Sequence, residues 1–436
     1  MPLQEGIYWD SGATPGPCFA IMFLRVTQGA TVAEIAPALD RLWKVHDDLR
    51  RGRIADLPGI DLPASGLTIL WGYGPKAFKI PGANHGLPSE LAEQNQFWPP
   101  QRSEISPILG GASINFAPGL DRNPATEEIM VQAIGDTSLA VNRVIVETWK
   151  LLKKTLSATT SQPLLEMTAS FTGFNREDGR SWIDFHDGVS NLRSGTPRLH
   201  AIAVKRQGLP ENRWTEGGTY LCFVRLAVDL AAWQKLSQTQ QELVVGRSKL
   251  TGCPLVSVDA AGNPSTMNGC PFSGTSAPTD PANAPFREPP LVTDDMRFSH
   301  VQRANHDHDD RFETPDSHRF FRQGYEFVEP PLAGSDLVLG LNFVSFQDTP
   351  TRVLFTLTMP DWLGDSNFGG STTAPQPGMA SLLKAQAAGI FFCPEAPEAG
   401  EFPGSSIFRQ PQLVAAAAPR RRRAKVANKR SRKARA

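Results

Sequence analysis

Two stretches of this chain open in the same way, and that echo limits the folds available to it. Pro17–Val26 (PCFAIMFLRV) is an apolar run rich in bulky residues, and so is Thr219–Val228 (TYLCFVRLAV). Both read as strands, and both lead directly into a helix signal. Thr31 with Glu34 three residues later has the form of a capping box, and Ile35, Leu39 and Leu42 follow at helical spacing. Asp229 stands at the N-cap of a helix predicted to run through Trp233 and Leu236 towards Leu243.

The two halves also close alike. Glu127–Ile134 reads as a strand, followed by a helix from Asp136 or Thr137 with Val141, Val144, Ile145 and Leu152 on one face. Leu337–Gln347 reads as a strand, and Thr349-Pro350 begins a helix with proline at its first position. These patterns predict an α+β fold of two related domains, each an antiparallel sheet with helices on one face. The polar stretch Ser157–Gln162 marks the division, giving domains 1–160 and 161–418 and a separate tail at 419–436. Segments 253–290 and 364–378, rich in Gly, Pro, Ser and Thr, read as long surface loops.

The five cysteines are odd in number and form no CxxC pair, so neither a zinc site nor a disulfide framework is expected. A reducing compartment follows as the simpler reading. No run of ~18 apolar residues is present to span a membrane. The first residues carry no basic region leading into an apolar run, so the expectation is a cytoplasmic protein. Lysine plus arginine equals aspartate plus glutamate at 44 each, but residues 420–436 hold ten of the basic residues and no acid. The body therefore carries 34 basic against 44 acidic residues. Such a tail is expected to be mobile and suits nucleic acid or another polyanion.

Three segments can carry chemistry. His300 sits in Ser299-His300-Val301-Gln302-Arg303-Ala304-Asn305, after a loop, where a neutral imidazole could serve as an iron ligand. Asp187 lies in Phe185-His186-Asp187-Gly188; an Asp-Gly pair is ordinarily a turn, as Asp178-Gly179 nearby warns. Its functional reading is an acid under aromatic cover that moves a proton. Arg322, in Arg319-Phe320-Phe321-Arg322-Gln323-Gly324, must find a partner among apolar neighbours or reach water. Its fixed charge would stabilise developing negative charge. His306-Asp307-His308-Asp309-Asp310 competes as a divalent-metal site, but nothing nearby completes the ligand set, and it reads as a hydrated acidic loop.

Read jointly, these residues resemble the dye-decolorizing (DyP-type) haem peroxidase family over about residues 15–410. The resemblance implies two ferredoxin-like domains in a dimeric α+β barrel, with one non-covalent haem b per chain in the second domain. It makes His300 the axial iron ligand, and Asp187 and Arg322 the catalytic acid and arginine above the haem. It implies Leu341 and Phe343, from Gly340-Leu341-Asn342-Phe343, as cavity residues, with Arg303 and Asn191 also at the cofactor. Gly246-Arg247-Ser248-Lys249 is similar to another recurrent family segment. Hydrogen peroxide would then yield a ferryl species that oxidises bulky organic donors such as dyes and phenols, and a homo-oligomer is possible. One departure is visible: where the family's GxxDG motif begins with glycine, this chain has Asp184. That departure keeps open a second reading, a haem-binding or haem-delivery protein with weak peroxidase activity. A third is a scaffold that binds polyanions through its tail.

Overall fold

A strand, a helix, two strands, a helix and a strand make up the first half of the chain, and the second half repeats that order with further elements inserted. The computed structural model describes residues 3–92, 114, 116–117, 120, 122–157, 161–189, 191–205, 210–266, 270, 299–304, 318–331, 336–357 and 382–409. Residues 306–310, 364–378 and 419–436 lie outside the described residues. The first unit runs β1 (Cys18–Val26), α1 (Val32–Arg50), β2 (Thr68–Tyr73), β3 (Ile129–Gly135), α2 (Ser138–Lys154) and β4 (Leu165–Phe174). Its strands lie in the order β2-β3-β1-β4, all antiparallel. Both helix starts follow the sequence: the Glu34 carboxylate accepts from the Thr31 N–H at 3.2 Å, and Thr137 Oγ1 accepts from the Ala140 N–H at 3.2 Å. Because β4 pairs along the length of β1, this unit extends to Phe174, past the division drawn at 160.

The second unit follows α3 (Thr196–Ile202) with β5 (Thr219–Val228), α4 (Leu230–Trp233) and α5 (Gln238–Val245). A small hairpin, β6 (Leu255–Val258) and β7 (Pro264–Thr266), precedes α6 (His300–Ala304), β8 (Phe321–Arg322) and β9 (Tyr325–Glu329). The chain then forms β10 (Val338–Gln347), α7 (Pro350–Leu357), β11 (Leu383–Cys393) and α8 (Ser405–Phe408). Its strands run β11-β5-β10-β9, the same ferredoxin-like order as in the first unit. The two sheets meet at two narrow seams, Tyr73 opposite Phe392 and Phe174 opposite Glu326, which close them into a barrel.

Strand alternation sorts the side chains. Phe19, Ile21, Phe23, Met130, Phe223, Val344, Phe346 and Phe391 fill the space between the sheets. Their neighbours Ala20, Met22, Val131, Cys222, Val224 and Phe343 face outward to the helices. The site of interest lies on that outer, helical face of the second sheet.

Two expectations are corrected here. The helix drawn from Leu230 towards Leu243 is two helices, because Ser237 begins a new one: Gln240 N–H donates to Ser237 Oγ at 3.3 Å, and Ser237 N–H donates to Gln240 Oε1 at 2.8 Å. Cysteine spacing hid the second: Cys253 and Cys270 form a disulfide, tying down a segment that also carries the β6–β7 hairpin rather than a plain loop. Among the described residues, no helix is long and apolar enough to cross a membrane.

Candidate functional site

Behind the second sheet lies a cavity that opens on one side to solvent. Its walls are chiefly apolar. Leu341 and Phe343, two apart on β10, face into it together, and Leu226 of β5 stands opposite Leu341 in register. Leu357 of α7 and Leu383 of β11 close the far side.

His300, the first residue of α6, reaches this cavity because α6 packs tightly on the end of α5. Gly246 makes that packing possible. It caps α5 with φ +84°, and a Cβ there would sit 2.5 Å from Val301 Cγ2 and 2.6 Å from Ser299 Oγ. Enclosure, together with the nearby charges of Arg322 and Arg247, pushes the His300 imidazole down to about 3. At neutral pH the ring is therefore uncharged, the form that can donate a lone pair to iron.

Arg322, on β8, is held at the cavity by three hydrogen bonds to one segment. Its Nη2 donates to the Val189 carbonyl at 2.8 Å, its N–H donates to Asn191 Oδ1 at 3.1 Å, and its carbonyl accepts from Asn191 Nδ2 at 2.7 Å. Asn191 was expected at the cofactor; it instead braces the Arg322 backbone and is not among the residues lining the cavity. Burial lowers the Arg322 guanidinium from its ordinary value, and the Asp187 carboxylate opposes that shift.

Asp187 also lines the cavity, on the loop between β4 and α3. It is exposed, and its Oδ1 accepts from the Gly188 N–H at 2.7 Å. The aromatic cover expected for it is directed elsewhere, since Phe185 rests against Trp233 with ring centroids 6.2 Å apart. What shapes the loop is Arg180. Its guanidinium donates to the carbonyls of Asp184 (2.6 Å), Lys249 (2.8 Å) and Leu250 (3.1 Å), and lies 2.9 Å from His186 Nε2. The loop is thereby pinned to the chain after α5. The side chain of Arg303 lies outside the described residues.

Asp184 adopts φ +66°, the left-handed region that glycine enters freely. Aspartate tolerates this better than most residues, which explains how the loop keeps its shape without glycine. Asp184→Gly is expected to fold at least as stably, whereas Asp184→Val should lose about 1–2 kcal/mol. Urea unfolding checks the order: equal stability of the two variants would show that the backbone at 184 is unstrained.

Sequence reasoning gave no role to several cavity residues, Arg247 and Glu326 among them. Arg247 lines the cavity, with its Nη1 donating to the Gly252 carbonyl at 2.7 Å. Its signal was the Gly246–Lys249 segment, whose glycine seats α6 and whose Lys249 faces Asp184 at 3.6 Å. Glu326 lines it too, from β9, a strand the apolar pattern did not reveal. An uncharged imidazole, apolar walls and three arginines, Arg247, Arg319 and Arg322, fit a haem, whose ring is apolar and whose propionates are anionic.

Fold and cavity together define an α+β barrel with a cavity on the outer face of its second sheet. The family model described as "Dyp-type peroxidase, C-terminal" matches residues 178–398, just over half of the chain. The chain belongs to the Dyp-type peroxidase family. A dye-decolorizing peroxidase of Thermobifida fusca is 26% identical over 171 residues, covering 38% of this chain and 33% of that protein. The matched stretch thus spans about a third of that relative's length. Among solved structures, the DyP-type peroxidase of Cellulomonas bogoriensis superposes with TM-score 0.64 at 20% identity, covering 94% of this chain and 99% of the other. Ferric DtpA of Streptomyces lividans gives 0.66 at 20% identity, covering 94% and 95%. These two likenesses establish the fold.

Proposed function

We propose that this chain is a haem b peroxidase of the dye-decolorizing type, with one non-covalent haem per chain held by His300. The observation that carries the reading is a single apolar cavity that brings together His300, Asp187 and Arg322. Haem, when bound, supplies the iron at which peroxide is reduced and an organic donor is oxidised. His300 offers the neutral nitrogen that holds the iron, and Leu341 and Phe343 restrict what can approach. Asp187 accepts a proton from one peroxide oxygen and delivers it to the other. Arg322 places a fixed positive charge where negative charge develops, and Asn191 holds its backbone at that spot. The haem-binding role is assigned to the second domain and polyanion binding to the tail.

The direct test is to add haemin to the purified protein, record the absorption spectrum, and then add hydrogen peroxide and a dye. One equivalent of haem with a Soret band, followed by peroxide-dependent bleaching, is expected. A protein that stays colourless overturns the reading; one that binds haem yet is inert with peroxide supports a haem carrier.

Deleting 420–436 is expected to leave peroxide turnover intact while removing salt-sensitive binding to DNA. Equal binding by the truncated chain would discredit the tail as the binding segment. The proposed compartment is the cytoplasm, where a Cys253–Cys270 disulfide would meet reducing thiols. Mass analysis of protein whose thiols are blocked during cell lysis tests this: a fully oxidised pair argues for an oxidising location.

A further inference from the structure

The cavity holds a second acid that the reading above does not use. Glu326 stands on β9 directly opposite Leu341 of β10, so its side chain shares the face that Leu341 presents to the cavity. It is only 5% exposed, and its Oε1 has no hydrogen-bond partner among the described residues. An ionised carboxylate left in that state would carry the full cost of desolvation. A carboxylic acid would not, because it is neutral.

We propose that Glu326 is a further acid–base residue of this site, a carboxyl that stores a proton inside the cavity and exchanges it with Asp187. The inference rests on the peroxidase reading for its purpose, but its chemistry can be tested without haem.

The surroundings of Glu326 decide its charge. The loop after β4 presents Asp187, Asp178, Arg176 and the backbone of Trp182 to it. The register partner on β10 is the apolar Leu341. Burial, reinforced by the negative charge of Asp187 and opposed by Arg176, pushes Glu326 up to about 9. Asp187, in contrast, is exposed. Two carboxyls thus share one cavity, one enclosed and one exposed.

The step balances as a proton transfer alone. A proton passes between Glu326 and Asp187 across the cavity; having released it, Glu326 is a carboxylate facing Arg176. It is then reprotonated from solvent. No electron moves and no heavy-atom bond changes. Asp187 touches the peroxide; Glu326 acts through it.

The first measurement uses haem-free protein. The infrared spectrum at pH 7 should show the C=O band of one protonated carboxylic acid that is missing in Glu326→Gln and fades as pH is raised towards 9. Thermal unfolding gives an independent check. Because the folded-state affinity for the proton exceeds that of the unfolded chain, the contribution of Glu326 is present at acid pH and is lost as pH rises from about 4.5 through about 9. Wild type should therefore lose more of its Tm between pH 6 and pH 9 than Glu326→Gln. An absent band, or identical pH dependence of the two proteins, overturns the proposal.

In the haem-loaded protein, Glu326→Gln should slow the reaction with peroxide about tenfold, less than the ~10²–10⁴ typical of a direct acid or base. It should also abolish an inflection in the alkaline limb of the rate profile. Glu326→Asp should restore the inflection. If wild type reacts with peroxide and Glu326→Gln matches it in rate and profile, the relay is wrong. If wild type itself is inert while the infrared band is present, the peroxidase reading has failed and the stored proton stands.

Discussion

His300→Ala is expected to abolish stoichiometric haem, leaving purified protein without the Soret band that wild type acquires on adding haemin. The substitution removes the uncharged cavity nitrogen that we propose as the iron ligand. Outer-sphere partners of metal ligands alone are worth ~10–100-fold in affinity, so loss of the ligand should cost at least about 100-fold. The other two cavity histidines are poorly placed to substitute. His186 Nε2 is within 2.9 Å of the Arg180 guanidinium, and His318 is stacked on Phe355 with ring centroids 3.7 Å apart. The fold should survive, since α6 is short and its seat at Gly246 depends on Ser299 and Val301 rather than on the imidazole. Circular dichroism matching wild type would confirm that. His85→Ala is the control: His85 stacks on Trp214 and does not line the cavity, so this variant should bind haem normally. A one-to-one Soret band in His300→Ala would remove His300 from the iron.

The residues that announced the fold were those whose local pattern agrees with their long-range role. Pro17–Val26 and Thr219–Val228 are buried between sheet and helices, so continuous apolarity marked them as strands. Thr31, Thr137 and Pro350 begin helices by backbone chemistry that needs no tertiary partner. β4 escaped notice because its burial alternates with exposed positions and its sequence mixes Thr, Ser and Glu with apolar residues. β9 was missed because it places Glu326 in a buried position, where a strand pattern asks for an apolar residue. At the site, His300, Arg322 and Asp187 were legible through resemblance, since each is an unusual side chain in a recognisable flank. The roles of Asn191, Arg180 and Gly246 were not. Each depends on a partner distant in sequence: Asn191 on Arg322, 131 residues away; Arg180 on Lys249, 69 away; Gly246 on Ser299 and Val301. The Cys253–Cys270 pair belongs with these, because spacing alone cannot show which thiols meet.

Arg322→Leu and Asp187→Asn should both retain haem and both react slowly with peroxide, for different reasons. In Arg322→Leu the two bonds from Asn191 persist, because they go to the backbone, while the guanidinium and its bond to the Val189 carbonyl are lost. The cavity keeps its wall and loses only a fixed positive charge. Removing one such group from a reacting centre costs ~10²–10³ in rate. Asp187→Asn keeps a carbonyl oxygen to accept from the Gly188 N–H, so the turn should persist, but an amide cannot take up and return a proton. Loss of a general acid–base group costs ~10²–10⁴. Stopped-flow mixing of each haem-loaded variant with peroxide reads these rates, and the Soret band before mixing reports cofactor content. If both variants react at the wild-type rate, neither group serves the chemistry. Asn191→Ala separates positioning from charge: Arg322 remains but loses its brace, so the rate should fall about tenfold, and Asn191→Asp, which keeps an acceptor for the Arg322 N–H, should recover part of it. A loss in Asn191→Ala as large as in Arg322→Leu would mean that the guanidinium works only when its backbone is held, and that the geometry of β8, as much as the charge it carries, sets the rate.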